Sequence, residues 1–168
     1  LALSVAGLFT ACGDDETTGL VASVSEPAMF FNRVSTFAVC EQVGSSCESD
    51  EVTAAEIAAA STDGMTVIYT NSPKREIGFV DITDVKAPKA LGALAMGGEP
   101  TSVTVLGANA LVAVNTSASF VAPSGKLVVV DIASRTVVTE ITLPGQPDSI
   151  ARSKDGKYLA IVIENERD

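Results

Sequence analysis

The chain has 168 residues, of which 46% are hydrophobic and 19% are charged, so it can form an ordinary globular domain. It carries 11 Lys and Arg against 21 Asp and Glu, and the net charge of −10 disfavours nucleic acid as a partner because phosphates would be repelled. It contains no His, which excludes Ser-His-Asp and Cys-His catalytic groups and every His-ligated metal site within it.

The first 12 residues resemble a bacterial lipoprotein signal that has been cut short. Leu1–Ala11 is apolar or small, and Cys12 follows Leu-Phe-Thr-Ala. We expect lipid attachment at Cys12 and thus a membrane partner, although Phe9 stands where Leu is usual and no Met or basic start precedes it. Eleven residues are too few for a transmembrane helix, which needs about 20. The alternative is a secretory signal whose cysteine is incidental.

Residues 13–52 are predicted to form an acidic tether and a disulfide loop with one possible strand. Phe30–Val39 carries apolar residues among polar ones and could form that strand. Cys40 and Cys47 flank a polar turn, and a disulfide between them would leave the third cysteine as the lipid anchor. Such a bridge suits an oxidising compartment and would contribute about 2 kcal/mol. Two free thiols are the alternative.

A pattern that returns every 44 to 50 residues dominates residues 53–168. Val80-Asp81-Ile82 recurs as Val130-Asp131-Ile132, and Gly98-Glu99-Pro100 recurs as Gly145-Gln146-Pro147. Such a period indicates one supersecondary unit copied along the chain. Helix pairs of the HEAT type share this period, but the β-branched run Lys126–Ile132 favours strands.

The repeats therefore predict an all-β fold, a partial β-propeller of two four-stranded blades plus part of a third. The Asp63-Gly64 pair predicts a hairpin between the first two strands. The second strand of each unit is apolar at nearly every position, which predicts burial on both faces between blades. Because the chain stops within a blade, we expect it to be a fragment. The predicted strands are Thr53–Ala59, Thr66–Thr70, Glu76–Ile82 and Lys89–Leu94, then Thr101–Val105, Ala110–Asn115, Lys126–Ile132 and Val137–Thr142, then Ser149–Ala151 and Tyr158–Ile163.

Two pairs of carboxylates are candidates for chemistry. Asp81 and Asp131 end the third strand of successive units, where an Asp accepts backbone N–H bonds from the next turn, so we expect a structural role. Glu99 and Asp148 flank the prolines that open the first strand, which in a propeller lies nearest the central channel. They could face a channel ligand or a cation, although the role that the prolines favour is to end a loop.

Three more carboxylates, Glu164, Glu166 and Asp168, alternate along the last segment. Oxygen ligands spaced in this way could bind Ca²⁺. Arg167 sits among them and no Gly shapes a tight loop, so a solvated acidic loop is favoured and no metal site is predicted.

Several strings, taken in order, resemble a known family. The chain resembles the N-terminal part of bacterial exported proteins named for an "esterase-like activity of phytase" domain. Its repeats are similar to the YVTN-type propeller class, in which Gly-x-Pro opens a blade and Val-Asp-x closes strand 3. The strings are Phe31–Val34, Ala55–Ser61, Ile77–Ile82, Gly97–Val103, Leu111–Ser117 and Ile163–Asp168.

The resemblance implies an exported phosphoester or ester hydrolase of the bacterial cell envelope or extracellular space. Its hydrolase part would lie beyond Asp168, so no catalytic residue is assigned to this chain. No cofactor is evident, and Ca²⁺ is implied by the resemblance alone. The alternative function is a non-catalytic cell-surface propeller that binds proteins, glycans or cell wall.

Overall fold

The computed structural model describes residues 32–43, 47 and 52–165, and within them the regular structure is almost entirely antiparallel strands. The first sheet has the order β1-β2-β3-β4, the second β5-β6-β7-β8, and the third pairs β9 with β10. The all-β prediction of two four-stranded blades and part of a third is confirmed, and helix pairs are absent from the described ranges. The strands are β1 (Ala58–Ala60), β2 (Thr66–Asn71), β3 (Glu76–Asp81), β4 (Lys89–Ala95), β5 (Glu99–Leu106), β6 (Asn109–Asn115), β7 (Gly125–Asp131), β8 (Thr136–Leu143), β9 (Pro147–Arg152) and β10 (Leu159–Ile163).

The two complete blades share the same irregularity in the pairing of their third and fourth strands. In the first blade the register of β3 and β4 shifts between Phe79 and Val80. In the second blade the register of β7 and β8 shifts between Val129 and Val130, at the same place in the sheet. A bulge bends a strand and increases its twist, so each blade is curved in the same way.

The core lies between the first two blades. β5, the first strand of the second blade, contacts β1 and β2 on one side and β9 on the other, as the inner strands of a propeller do. Each fully buried Val, Ile or Phe contributes roughly 1.5–3 kcal/mol relative to exposure. The core cluster consists of Ile68, Ile77, Phe79, Met96, Val103, Val105, Ala110, Val112, Val114, Val128 and Val130.

The second strands differ in burial between blades. β6 is buried at every position from Ala110 to Val114, and β2 is buried over Ile68–Asn71, so the prediction of burial on both faces is confirmed for these two strands. It is wrong for β10, where Val162 is 53% exposed. The physical reason is that no sheet among the described residues covers the outer face of the third blade.

The strand expected at Phe30–Val39 is not found. Residues 32–38 have no regular structure and Val39–Val43 forms a 3-10 helix. Apolar spacing alone could not supply a partner strand, and the segment is held by side chains instead. The Ser35 hydroxyl donates to the Val85 carbonyl at 2.6 Å. Phe30 and Phe31 lie outside the described residues.

The same segment contains a disulfide and a glutamine that hydrogen-bonds to the first blade. Cys40 and Cys47 are joined, with their Cα atoms 5.2 Å apart, the pairing that the sequence also predicts. Beside the bridge, the Gln42 amide donates to the Phe79 carbonyl at 2.6 Å and accepts from the Gly92 N–H at 3.0 Å. These bonds satisfy backbone groups that the bulge between β3 and β4 leaves unpaired.

No helix in the described ranges is long and apolar enough to cross a membrane. The predicted lipid attachment at Cys12 and most of the predicted tether lie outside these ranges.

Candidate functional site

The connections between strands fall into two groups, and we name the surface that each group forms. The turn face carries the connections within the pairs β1–β2, β3–β4, β5–β6, β7–β8 and β9–β10. The loop face carries the β2–β3 and β6–β7 connections and the segments that lead from one blade to the next. The Thr62 hydroxyl of one turn donates to the Gly107 carbonyl of another at 2.7 Å, so the turns of neighbouring blades meet on one face.

On the turn face, the first and third blades share one hairpin design. The Asp63 carboxylate accepts from the Ser61 hydroxyl at 2.5 Å and from the Met65 N–H at 3.0 Å. Asp155 accepts in the same way from Ser153 at 2.8 Å and from the Lys157 N–H at 3.2 Å. Gly64 and Gly156 follow with φ of 73° and 70°, a conformation that glycine adopts without steric cost. The hairpin predicted at Asp63-Gly64 is therefore present.

The carboxylates at the ends of the third strands also serve their own turns. Asp81 accepts from the Thr83 N–H at 2.8 Å. Asp131 accepts from the Ser134 N–H at 2.8 Å and from the Ser134 hydroxyl at 2.7 Å. Each carboxylate binds the turn that follows it, on a different blade, which is the geometry of the structural role expected for this pair.

Hydrogen bonds to these carboxylates favour their charged form. The Ser61 and Ser153 hydroxyls lower the pKa of Asp63 and Asp155 respectively. The Thr83 hydroxyl lowers the pKa of Asp81, and the Ser134 N–H lowers that of Asp131. All four groups stay ionised at neutral pH, which suits hydrogen-bond acceptors in turns and not proton donors.

On the loop face, polar side chains surround a cavity of about 320 Å³. The Asn115 amide donates to Glu99 at 3.5 Å, and its carbonyl accepts from the Ser117 N–H at 2.9 Å. Gln146, Ser119 and Phe120 complete the wall. Glu99 is the first residue of β5, Gln146 precedes β9, and Phe120 lies in the β6–β7 connection, so the cavity is formed by the way in which the blades stack.

A close backbone contact at Gly98 lies beside this cavity, and we call it the floor of the loop face. A Cβ atom on Gly98 would lie 2.5 Å from the Asn115 carbonyl oxygen. Gly145, the equivalent residue before the third blade, would place a Cβ 2.2 Å from the Asn165 side chain. Glycine is therefore required at Gly98, where the overlapping atom belongs to the backbone, whereas at Gly145 a shift of the Asn165 side chain would make room for a Cβ atom.

The connection between β6 and β7 forms an ordered loop with an apolar tip. At its base, the Thr116 N–H donates to the Ser124 carbonyl at 3.0 Å and the Ser124 N–H donates to the Ser117 hydroxyl at 2.9 Å. At its tip, Phe120 is 61% exposed and Val121 is 72% exposed. A closed base with an uncovered aromatic tip is unusual for a loop whose only role is connection.

The structure brings some of the predicted site residues together and separates others. Glu99 lines the loop-face cavity, whereas Asp148 is exposed on β9 and is not part of the cavity wall. The Glu164 N–H donates to the Gln146 carbonyl at 2.8 Å, which places this carboxylate residue at the edge of the same face. Glu166 and Asp168 lie outside the described residues.

Within the described ranges, no group of three Asp, Glu or Cys side chains is placed to hold a metal ion.

Sequence reasoning missed the apolar tip of the β6–β7 loop. The available signal was Phe120-Val121 within a Ser- and Pro-rich connection between two buried strands.

Comparison with known proteins agrees with this architecture. The stacked antiparallel sheets define an all-β, propeller-like domain. Residues 56–168 match the sequence profile of the choice-of-anchor I domain, and the chain belongs to that family. This family and the Cys40–Cys47 disulfide together indicate an exported or cell-surface protein. The profile that matches is neither the phytase-like family nor the YVTN class, so those narrower assignments stay predictions.

Among solved structures, the chain is similar to hydrazine synthase from Kuenenia stuttgartiensis, with a TM-score of 0.56 and 21% identity over 66% of this chain and 30% of that one. It is also similar to a luciferin-regenerating enzyme, with a TM-score of 0.45 and 17% identity over 62% of this chain and 40% of that one. The first likeness shows the fold alone. The chain spans less than half the length of each. A search of the curated proteins finds no match.

Proposed function

We propose that this chain is an exported, non-catalytic surface module that binds a partner through its loop face. The observation that carries the proposal is the apolar tip of Phe120 and Val121 on a loop whose base is closed by hydrogen bonds. An aromatic side chain held in an exposed position loses little conformational freedom on binding, which is the property of interface anchors.

The surroundings of the tip favour a protein or glycan partner. Glu99, Asn115 and Gln146 offer carboxylate and amide groups in the adjoining cavity. A polar rim beside an aromatic anchor is the usual composition of a recognition surface. The net charge of −10 favours partners that are neutral or basic over acidic ones.

Peptide selection on the purified chain tests the loop-face assignment. Peptides enriched from a random library should bind the Phe120→Ser variant about tenfold more weakly, equivalent to about 1.4 kcal/mol. The Val138→Ser variant, which removes an apolar side chain of similar exposure (59%) from β8 outside the loop-face cavity, should bind them as the natural chain does. Selected peptides that bind Phe120→Ser with undiminished affinity would contradict the proposal.

Lipid attachment at Cys12 would tether the module to a membrane of the cell envelope. The residues before Cys12 support this proposal through their likeness to a lipoprotein signal. Metabolic labelling with palmitate should mark the natural protein and not the Cys12→Ser variant. If both proteins were labelled equally, or if neither were labelled, lipid attachment at Cys12 would be contradicted and the segment would be an ordinary secretory signal.

A second candidate function follows from the sequence strings that resemble the phytase-like family. In this proposal the chain is the propeller part of an exported phosphoester or ester hydrolase whose catalytic residues lie elsewhere in a longer protein. Turnover of p-nitrophenyl phosphate, with and without Ca²⁺, should be absent for the chain of 168 residues and present for a longer product of the same gene. Lack of turnover by both would contradict the hydrolase function, and turnover by the chain of 168 residues would contradict the non-catalytic assignment.

A further inference from the structure

A cleft of about 610 Å³ lies between the first two blades on the turn face, away from the proposed partner surface. Small-molecule sites in proteins have volumes of roughly 300–1,000 Å³ and are mostly apolar with few polar groups. This cleft has that character. Leu91 and Ile132, which are half-buried and pack against the core, form its apolar part together with Ala108 and Ala133.

The two walls of the cleft belong to different blades and are held together. The Thr62 hydroxyl on the first blade donates to the Gly107 carbonyl on the second at 2.7 Å. The Ile132 N–H donates to the Ala108 carbonyl at 3.0 Å, which joins the two turns of the second wall. A ligand would therefore meet a cleft that is already formed, and its binding would not have to order the turns.

Opposite charges stand on the two walls. Asp63 lines the cleft from the first blade, and its hydrogen bonds from Ser61 and Met65 both go to one oxygen, Oδ1. Arg135 lines the cleft from the second blade. The backbone N–H of Arg135 donates to the Asp131 carbonyl at 2.8 Å. Its guanidinium has no ion-pair partner within the described residues.

We propose that this cleft binds a small zwitterion with an apolar body, of the class formed by apolar amino acids and short peptides. The ligand carboxylate pairs with the Arg135 guanidinium, which can donate two parallel hydrogen bonds to it. The ligand ammonium faces Asp63 Oδ2, and the apolar body covers Leu91 and Ile132. A simple anion is disfavoured because Asp63 would repel it.

Titration of the 168-residue chain with L-phenylalanine and with the dipeptide Ala-Phe, followed by ligand-observed NMR, tests the proposal. We expect saturable binding of at least one zwitterion. N-acetylphenylalanine, which lacks the ammonium, and phenylalaninamide, which lacks the carboxylate, should bind at least about tenfold more weakly, the size of one lost charged contact. No saturable binding of either zwitterion, or equal binding of the blocked forms, would overturn it.

Variants locate the site. Arg135→Asn keeps a residue that tolerates the φ of 57° at this position and removes the guanidinium, and it should abolish the preference for the carboxylate. Ala133→Trp fills the cleft from an exposed position and should block binding even if Arg135→Asn folds poorly. Arg152→Gln, an exposed arginine outside the cleft, is the matched control and should bind as the natural chain does. Binding that persists in both Arg135→Asn and Ala133→Trp would contradict the assignment of the cleft.

Discussion

The two faces of the stacked blades use similar side chains in different ways. On the turn face, Asp63 and Asp155 bind the serine and backbone N–H of their own hairpins, and the same design recurs from the first blade to the third. On the loop face, equivalent connections differ. The first blade has the 3-10 helix Ser72–Lys74, whereas the second has the longer β6–β7 loop with Phe120 at its exposed tip. Where the repeats agree, these hydrogen bonds maintain the fold; where they differ on the loop face, the Phe120 side chain remains exposed to a protein partner.

The largest expected effect would come from the floor of the loop face. Gly98→Ala should destabilise the chain by about 1–3 kcal/mol, because the new methyl group would overlap the Asn115 carbonyl oxygen. Urea unfolding measures the change. Glu99→Gln, next to it and exposed, is the control and should stay within about 0.5 kcal/mol. A Gly98→Ala chain as stable as the control would mean that the floor is looser than the structure describes.

Next in size is the loss of a turn-face hydroxyl. Ser61→Ala removes the donor to Asp63 and the acceptor of the Thr66 N–H, so we expect a lower midpoint of urea unfolding, with a smaller change than that of Gly98→Ala. Ser153→Ala removes the same two bonds in the third blade. Ser119→Ala on the loop face is the matched control, since its hydroxyl makes no side-chain hydrogen bond in the described structure. The division between the faces would be contradicted if all three variants had equal unfolding midpoints.

Acid should act on the turn face. The folded-state pKa values of Asp63, Asp81, Asp131 and Asp155 are lowered, so these carboxylates stabilise the fold above the unfolded-state pKa of about 3.9. That contribution is lost as the pH falls through the lower folded-state values. The temperature of thermal unfolding should fall between about pH 5 and pH 2. Replacing the four residues with Asn should reduce the slope of this temperature against pH. An unchanged slope would contradict the hydrogen-bond account of the turns.

The smallest expected effect on stability belongs to the apolar tip. Phe120→Ser should change the unfolding free energy by no more than about 0.5 kcal/mol, because the residue is 61% exposed and is not a member of the core cluster. Differential scanning calorimetry measures this change. A clear destabilisation would mean that the tip supports the fold, and the case for a binding role would weaken.

Much of the fold could be predicted because local signals and tertiary structure agree. The β-branched run at Lys126–Ile132 and the Asp63-Gly64 pair specify strands and turns through short-range sterics, and nine of the observed strands begin and end within two residues of the predicted ones. The prediction of Thr53–Ala59 was wrong in its bounds, because β1 begins only at Ala58 and ends at Ala60. The expected strand at Phe30–Val39 was wrong because pairing needs a partner edge, which no local pattern reports. The half-exposed β10 has the same cause, since burial depends on a neighbouring sheet.

The candidate site was less predictable. Glu99 was identified from its place beside a blade-opening proline, but its neighbour Asn115 is set by the pairing of β5 with β6, and Gln146 is brought close only by the stacking of blades. Phe120 was missed because a sequence pattern does not tell an exposed aromatic residue from a buried one. Arg135 was missed because its cleft exists only between two blades.

Paired measurements of stability and binding on Ser61→Ala and Phe120→Ser test the division between the faces most directly. Ser61→Ala should unfold more easily while binding loop-face peptides with its natural affinity, and Phe120→Ser should keep its stability while binding those peptides about tenfold more weakly. If one variant lost both properties, or if Ser61→Ala alone lost peptide binding, the separation of the hairpins that maintain the fold from the loop that binds a protein partner would be wrong.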